Sequence, residues 1–467
     1  MFSSYLQSRH NLCQELVRRL LKKYEYVSLL GKQIVGKSIR VSTFNVSIGD
    51  SMETQCGFVV KLYNGNTYSE YSFSDITEET IDIIEKEIEE KLSIEEELLR
   101  NHVNVKILED EPLVKDFSRP LEGKEYSVEE IVSKLKEIKD KVHAKSEKII
   151  QALAGYEHYE VSAMFISKNK DLTQNYSWAS IMVGSVARDG MNIKQAYDVA
   201  TYNSVEKCFE VIETKIEKVA ELSIELLSAE MIVPGVYDII TDPSITGLIA
   251  HEAFGHGVEM DMFVKERAKA KYYVNKEVAS PLVNMHDGAC ATLSCASYFF
   301  DDDGVLAHDT LIIKEGILQT GISDALSALQ LGLEPTGNGR RESPKRKAYT
   351  RMTNTFFSPG NDKVEDMIKS IKHGYLLCQT SNGMEDPKNW NIQCVCQYGR
   401  EIKDGEFTGK IVSPVCMTGY VPDLLKSISM VSKEFEVIGS GYCGKGYKEW
   451  VPVADGGPYL KAKCKLG

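Results

Sequence analysis

Two spacings of apolar residues predict the secondary structure of the first part of the chain. Apolar residues three or four positions apart, typical of amphipathic helices, mark residues 9–24 and the Glu-rich stretch 74–100. In the second stretch four isoleucine or leucine side chains would share one face: Ile81, Ile84, Ile88 and Leu92. Alternation of apolar and polar residues predicts strands in three places: 26–30, 38–46 and a hairpin over 57–73 that turns at Asn64-Gly65.

A second series of elements follows a predicted connector over residues 101–125, which contains Pro112, Pro120 and Gly123. Ser127 and Glu130 have the spacing of a capping box, which predicts a helix that runs to about residue 154. Two strands and a long helix complete this αββα series: 159–166, 175–186 and 204–230.

Strand patterns dominate the rest of the chain. The pattern of residues 234–241 predicts a strand, and the helix that follows it contains side chains able to bind a metal or transfer a proton. Two hairpins are predicted around the dipeptides Glu315-Gly316 and Asp404-Gly405. Short helices are predicted in three places: 323–331, 363–372 and 421–431.

These patterns together predict an α+β protein with three domains. The mixed N-terminal half combines small sheets with long helices and divides into an α/β unit, residues 1–110, and an αββα unit, residues 111–232. The C-terminal domain, residues 233–467, is β-rich and carries a helix with the sequence HExxxH.

Composition narrows the range of functions. The 467 residues are 43% hydrophobic and 26% charged, which is ordinary for a globular protein. A net charge of −13 argues against nucleic acid or an anionic membrane as a main partner. No apolar run approaches the roughly 20 residues of a membrane-spanning helix. Because the N-terminal residues lack the pattern of a signal peptide, we expect a cytoplasmic protein.

The strongest chemical signal is the pair His251 and His256, with Glu252 directly after the first. Side chains five positions apart point about 140° away from each other on a regular helix. A single π turn would bring both imidazoles to one side, and so would a helix that ends near Gly255. We therefore expect the helix to be locally widened or broken at this motif.

Two imidazoles and an adjacent carboxylate suit zinc chemistry. A catalytic zinc ion typically has three protein ligands and a water whose pKa it lowers to about 7. Glu252 could accept a proton from that water and deliver it to a leaving amine. In the alternative interpretation, His251 and His256 only cap the helix or fill the core. Spacing leaves the third ligand open between Glu259, Asp261 and a distant cysteine.

The eleven cysteines are scattered and include no Cys-x-x-Cys pair. Most are therefore expected to be buried thiols of a reducing compartment. Cys394 and Cys396 would lie on the same face of a strand, a spacing that leaves a metal or redox role open. Cys443 differs because glycines surround it within 439–446, and such a loop can approach a ligand closely.

Two further polar segments admit a structural and a functional interpretation. Residues 337–342 read as a glycine turn with charged side chains, but Arg340 or Arg341 could clamp a substrate carboxylate. With Asn338, these arginines are the candidate substrate-binding residues. The three aspartates at 301–303 could bind a divalent ion, although a turn between strands is the stronger expectation.

Five strings of residues, in the same order over residues 235–460, carry a family resemblance: 248–261, 302–304, 335–343, 351–355 and 441–445. On these strings the chain resembles the TldD/PmbA (TldE) family of bacterial and archaeal zinc metallopeptidases. TldD-type members carry HExxxH and the TldE-type partner lacks it, so the chain looks like the catalytic, TldD-type subunit.

The resemblance implies a role for each motif residue. His251 and His256 would be zinc ligands, Cys443 would be the third protein ligand, and Glu252 would be the general base. The implied activity is hydrolysis of unfolded peptides or short protein segments, with the site enclosed in a dimer. That dimer would be a homodimer or a heterodimer with a TldE-like subunit. The alternative is a non-catalytic or partner-dependent subunit that binds peptides.

Overall fold

One largely antiparallel sheet organises the N-terminal half in the computed structural model, which describes residues 1–92, 106–108, 111–447 and 449–467. Its eight strands in the described residues are β1 Tyr26–Ser42, β2 Val46–Asp50, β3 Gln55–Tyr63, β4 Tyr68–Phe73, β5 Leu113–Arg119, β6 Ile149–Ser167, β7 Lys170–Asp189 and β8 Asn192–Tyr202. Their order is β4-β3-β1-β6-β7-β5, with β2 beside β1 and β8 beside β7.

The pairing of β1 with β6 joins the two predicted N-terminal units. It runs without interruption from Ser28 opposite Ser167 to Ser42 opposite Leu153. The predicted boundary at residue 110 therefore lies between strands of one sheet, and 1–110 and 111–232 do not form separate sheets. Local patterns could not show this, because the two partner strands are more than 100 residues apart in sequence.

Two predicted elements of this half were wrong. Strand β5 lies inside the predicted connector and pairs in parallel with β7. The helix predicted to reach residue 154 ends at His143, and β6 begins at Ile149. Apolar residues in β6 are spaced closely enough to fit either period, so long-range pairing with β1 and β7 decided between helix and strand.

Four helices cover the N-terminal sheet within the described residues: α1 Ser4–Leu20, α2 Ile81–Leu92, α3 Val128–His143 and α4 Val205–Glu225. The predicted capping box of α3 is confirmed, since Ser127 accepts from the Glu130 amide and the Glu130 side chain accepts from the Ser127 amide. Residues 93–100 of the predicted Glu-rich helix lie outside the described residues. Taking all described parts of the chain, no helix is both long and apolar enough to cross a bilayer.

The C-terminal half contains thirteen strands in the described residues. They are β9 Gly235–Thr241, β10 Met285–Asp287, β11 Thr310–Lys314, β12 Ile317–Leu318, β13 Gly339–Arg340, β14 Tyr349–Thr350, β15 Asn354–Phe357, β16 His373–Asp386, β17 Asn391–Lys403, β18 Glu406–Val412, β19 Val415–Tyr420, β20 Met430–Lys445 and β21 Glu449–Leu466. The strands β9, β16, β17, β19 and β21 pair in a closed cycle, because β21 bonds to both β19 and β9.

The predicted hairpins are confirmed, and their turns follow from local backbone chemistry. Glu315 and Gly316 have φ angles of 47° and 80°, and Asp404 and Gly405 have φ angles of 48° and 83°. Glycine tolerates this left-handed region at no steric cost. Five short helices complete the half within the described residues: α5 Pro243–Leu248, α6 Met260–Val264, α7 Ala325–Leu331, α8 Val364–Lys369 and α9 Val421–Lys426. The α+β fold class is thereby confirmed.

A buried set of ion pairs joins the two halves. We call it the interface cluster and define it by these residues: Lys32, Lys61, Glu70, Asp302, Asp303 and Arg341. Lys32 Nζ lies 2.9 Å from Asp302 Oδ1, and Lys61 bonds to Asp303 and lies 3.3 Å from Glu70 Oε1. Glu70 also accepts from Arg341 at 3.1 and 3.2 Å. These contacts fix the N-terminal sheet against the C-terminal half. The division of the chain into three domains stays a prediction.

Candidate metal centre

The helix that carries the motif changes its winding at the two histidines. After the regular turns of α5, residues Ile249–Gly255 form a π turn and His256–Val258 form a 3-10 turn. The predicted widening of the helix is therefore confirmed. Its effect is to bring the ring centroids of His251 and His256 to 5.1 Å, with the ring planes perpendicular.

Packing on two sides holds the π turn. A Cβ atom at Gly255 would lie 2.1 Å from Sδ of Met352, so only glycine allows this close approach. Phe254 is fully buried and packs against Trp390, with ring centroids 5.8 Å apart. The unusual winding is thus supported by tertiary contacts as well as by the local sequence.

Strand β20 brings Cys443 to the same point from the C-terminal end of the chain. Its Sγ lies 3.5 Å from Nε2 of His256. One ligand atom from each of Cys443, His251 and His256 lies within 4.8 Å of the others, the one such group of three found in the described residues. Arg351 fixes the backbone here, because its guanidinium donates to the carbonyls of Cys443 and Glu449.

The donor set fits a divalent metal ion. Nδ1 of His251 is buried and has no hydrogen-bond partner among the described residues. A carboxylate oxygen of Asp455 is 3.9 Å from it, which is too far for a hydrogen bond. A buried nitrogen of this kind is costly unless some group satisfies it. Imidazole nitrogens and a cysteine sulfur are also the donors that zinc prefers.

Electrostatics favour the ionised thiol. Burial alone would raise the pKa of Cys443, but the positive charges of His256 and His251 outweigh it and lower this pKa well below its usual value. Burial lowers the pKa of His251, and the Cys443 thiolate outweighs that effect and raises the pKa to about 8. The thiolate is the form of cysteine that binds metals.

The other ring nitrogen of His256 is held by an acid. Nδ1 lies 3.0 Å from Oε2 of Glu259, and that oxygen also accepts from Lys445 at 3.0 Å. Burial raises the pKa of Glu259, but Lys445 and His256 outweigh it and hold the pKa at about 2. Glu259 therefore contacts a member of the group of three instead of joining it. Asp261, the other acid left open by the sequence, bonds to Lys445 at 2.6 Å and Lys265 at 3.1 Å.

Glu252 lies on the π turn and is partly buried under β16. A Cβ atom at Gly383 of β16 would lie 2.5 Å from Cγ of Glu252, so this glycine makes room for the acid. Pairing of β16 with β9 ends at Leu377. Beyond that residue, one edge of β16 has no strand partner in the part of the chain that the structure describes.

Sequence reasoning missed two acids near the site, Glu385 and Asp455. Both carboxylate oxygens of Glu385 are buried without a hydrogen-bond partner among the described residues, and burial raises its pKa well above the usual range. Burial also raises the pKa of Asp455, to about 6, against the opposing effect of His251. Neither acid has a sequence signal, because each reaches the motif helix from a strand more than 120 residues further along the chain.

The candidate substrate-binding residues are occupied by protein partners. Asn338 donates to Asp287 at 2.7 Å, and Arg340 donates to the carbonyls of Met352 and Pro452 at 2.7 Å each. Arg341 belongs to the interface cluster. All three side chains are buried. A role in binding substrate stays a prediction, and these contacts do not support it.

Comparison with known proteins agrees with the geometry of the centre. Residues 234–463 match the family model described as the PmbA/TldA metallopeptidase C-terminal domain. The chain belongs to the TldD/PmbA family. The resemblance stated from the sequence is thereby confirmed.

Relatives in this family extend the similarity into the N-terminal half. A metalloprotease of Methanothermobacter thermautotrophicus is 29% identical over 70% of this chain and 72% of its own length. A Saccharolobus solfataricus protein named zinc metalloprotease TldD homolog is 26% identical over 76% of this chain and 78% of its own. The crystal structure of TldE from Thermococcus kodakarensis has the same fold, with a TM-score of 0.74 at 18% identity over 98% of this chain and 100% of that chain.

Proposed function

We propose that the chain is a zinc-dependent peptidase in which His251, His256 and Cys443 hold the ion. The observation that supports this most directly is the convergence of their three ligand atoms within 4.8 Å, although Cys443 is 187 positions from His256. The relatives named metalloproteases support the same class of enzyme.

The residues of the chain divide the proposed chemistry between them. When bound, zinc polarises a peptide carbonyl and lowers the pKa of a water molecule. Glu252 accepts the proton of the attacking water and passes it to the departing amine. Its position between the π turn and Gly383 restricts its side chain, which keeps the base close to the group of three.

The proposed substrate is an unfolded peptide or a short unstructured segment of a protein. The edge of β16 over residues 381–385 has no strand partner in the described residues and lies beside the motif helix, whereas the amides of Gln379 and Thr380 already bond to Asp242 and Ser244. An extended peptide could pair with this edge as an additional strand. Such pairing uses the peptide backbone, so it accepts many sequences but requires an extended chain.

We also propose that the protein works in the cytoplasm as a dimer, either of two copies or of one copy with a TldE-like subunit. The family resemblance implies this assembly, and the TldE structure has the same fold as the chain. A dimer that encloses the metal centre would admit unfolded chains and exclude folded proteins. Analytical ultracentrifugation of the purified chain, alone and with a TldE-like protein, distinguishes the two assemblies.

The deciding experiment compares wild type with Glu252→Gln. Both are assayed for bound zinc and for cleavage of an unstructured peptide. We expect the variant to retain zinc and to lose about 100- to 10,000-fold in turnover, the usual contribution of a general base. Glu406→Gln on β18, where the side chain is exposed, is the matched control and should behave as wild type.

Two outcomes would contradict the proposal. Equal turnover by Glu252→Gln would remove Glu252 from the mechanism. Zinc binding without any cleavage by wild type, alone or with a partner, would favour the alternative of a peptide-binding subunit without catalytic activity.

A further inference from the structure

A buried lysine connects the two segments that form the metal centre. Lys445 follows Cys443 by two positions on β20, and its side chain is only 13% exposed. Its ammonium donates to Glu259 Oε2 at 3.0 Å, to Asp261 Oδ1 at 2.6 Å and to the carbonyl of Thr350 at 2.9 Å. An ammonium has three hydrogens to donate, so all of them are used.

This hydrogen-bond network ends at His256. The oxygen of Glu259 that accepts from Lys445 is also the one that lies 3.0 Å from Nδ1 of His256. A carboxylate can only accept, so Nδ1 of His256 is the donor and carries the proton. Nε2, on the side of Cys443, is then free to act as a ligand.

We propose that Lys445 is a positioning residue of the metal centre, which acts through Glu259 to fix the ring and the tautomer of His256. The inference rests on the proposed zinc site. Partners of this kind, one contact away from the metal, orient its ligands and affect metal affinity.

The cost of removing the ammonium supports this role. Without it, Glu259 would be a buried carboxylate whose one remaining hydrogen-bond donor is the imidazole of His256, an unfavourable arrangement in the interior. Oε1 of Glu259 already lacks a hydrogen-bond partner among the described residues. The carboxylate would then move to find another donor, and His256 would lose the contact that fixes its orientation.

Lys265 provides a natural comparison within the same network. It also donates to Asp261, at 3.1 Å, but its side chain is 46% exposed. Its ammonium donates to Asp261 and makes no hydrogen bond to Glu259 among the described residues. A lysine that merely balances the charge of Asp261 should therefore matter little, whereas Lys445 should matter through Glu259.

The experiment measures the zinc affinity of the full-length chain by competition with a chelator. For Lys445→Met we expect a loss of about 10- to 100-fold, the range typical of partners one contact away from a metal. Lys265→Met, the matched control, should bind zinc as wild type does. Equal affinity of Lys445→Met and wild type would overturn the proposal.

A double-mutant cycle tests whether the effect passes through Glu259. If it does, Lys445→Met should cause little further loss of zinc affinity in a Glu259→Gln background. Independent losses that multiply would overturn the proposed route. If Lys445→Met does not fold, Glu259→Gln alone decides, because wild-type affinity in that variant would also overturn the proposal.

Cobalt substitution separates this inference from the proposed function. The charge-transfer absorption of a thiolate bound to cobalt reports whether Cys443 is a ligand. If wild type lacks this band and does not bind zinc, the proposed function fails. If wild type shows the thiolate–cobalt band and binds zinc, and Lys445→Met keeps the band and the full zinc affinity, only the positioning role of Lys445 fails.

Discussion

The metal centre and the interface cluster are both buried groups of charged residues, but they differ in how completely they are paired. Each contains a glutamate whose pKa is about 2. Burial would raise the pKa of both, but Lys61 and Arg341 outweigh it at Glu70, and Lys445 and His256 outweigh it at Glu259. In the interface cluster every lysine faces a carboxylate, and only Nε of Arg341 lacks a partner among the described residues. The metal centre leaves both Nδ1 of His251 and Oε1 of Glu259 without one.

This difference is the one we expect between a cluster that holds the fold together and a candidate binding site. Buried polar groups are usually satisfied, so unsatisfied atoms next to a group of ligand-type side chains are consistent with a site that binds an ion. The aspartates at 301–303 illustrate the opposite case. Asp301 accepts from the Gly339 amide at 2.7 Å, and the other two pair with lysines, as expected for a turn that fastens two halves together.

The strongest test of the comparison removes the thiol. Cys443→Ala deletes one of three proposed ligands, so zinc affinity should fall by more than the 10- to 100-fold typical of residues one contact away. Chelator competition measures this loss. Cys290→Ala, which removes an exposed thiol elsewhere, should leave the affinity unchanged. Zinc bound with wild-type affinity by Cys443→Ala would show that the sulfur is not a ligand.

The second test breaks the interface cluster. Asp303→Asn leaves Lys61 buried with an incomplete set of partners, and we expect a loss of about 3–5 kcal/mol in the free energy of unfolding. Urea denaturation measures this loss, and zinc affinity of the folded protein should not change. Asp189→Asn, in the exposed pair with Lys148, should cost at most about 1 kcal/mol. A stable variant with weakened zinc binding would mean that the two clusters do not have separate roles.

A third test displaces the proposed base, together with the side chain of Leu248, which the new methyl group would approach to 2.9 Å. Gly383→Ala places a methyl group within 2.5 Å of Cγ of Glu252, so the side chain must shift. Because small misplacements of a catalytic group reduce turnover strongly, we expect a loss of up to about 100-fold in kcat. Measurements of zinc content and peptide affinity show whether the rest of the site is intact. Lost zinc, rather than lost turnover, would show that the substitution disturbs the ligands.

The last test concerns how the free energy of unfolding changes in acid, and we expect its effect to be the smallest of the four. The folded pKa of about 2 for Glu70 and Glu259 lies below the ordinary value near 4.5. Each charged carboxylate therefore contributes stability that is complete above about pH 4.5 and is lost as the pH falls toward about 2. Glu70→Gln and Glu259→Gln should each flatten this acid dependence in urea titrations at a series of pH values. An unchanged slope in either variant would show that its carboxylate does not carry the effect.

Much of the local structure could be predicted from the sequence, for reasons that are themselves local. The capping box of Ser127 and Glu130 and the turns at Gly316 and Gly405 depend on residues within a few positions of each other. The length of β6 could not be predicted, because pairing with β1 and β7 decided it. Strand β5 was missed for the same reason, since its pairing with β7 is what makes it a strand.

The candidate site divides in the same way. The i, i+5 spacing of His251 and His256 predicted a helix that is widened or broken, and the structure has the widened form, a π turn over Ile249–Gly255. The family resemblance supplied Cys443, which the glycine-rich loop alone left open. Nothing in the sequence indicated that Glu385 or Asp455 lies near the motif helix.

The sequence by itself determined which residues of the motif can bind a metal and predicted that the helix widens or ends between the two histidines, because both inferences depend on side-chain chemistry and on neighbours along one helix. Only the tertiary structure showed that Cys443, which the family resemblance implied, reaches both histidines, and that Glu259 bonds to His256 instead of joining the group of three. Glu259 is three positions from His256, yet it also pairs with Lys445, which the fold of β20 brings from 186 residues away. Contacts of that range are fixed by strand pairing and burial, and no local pattern encodes them.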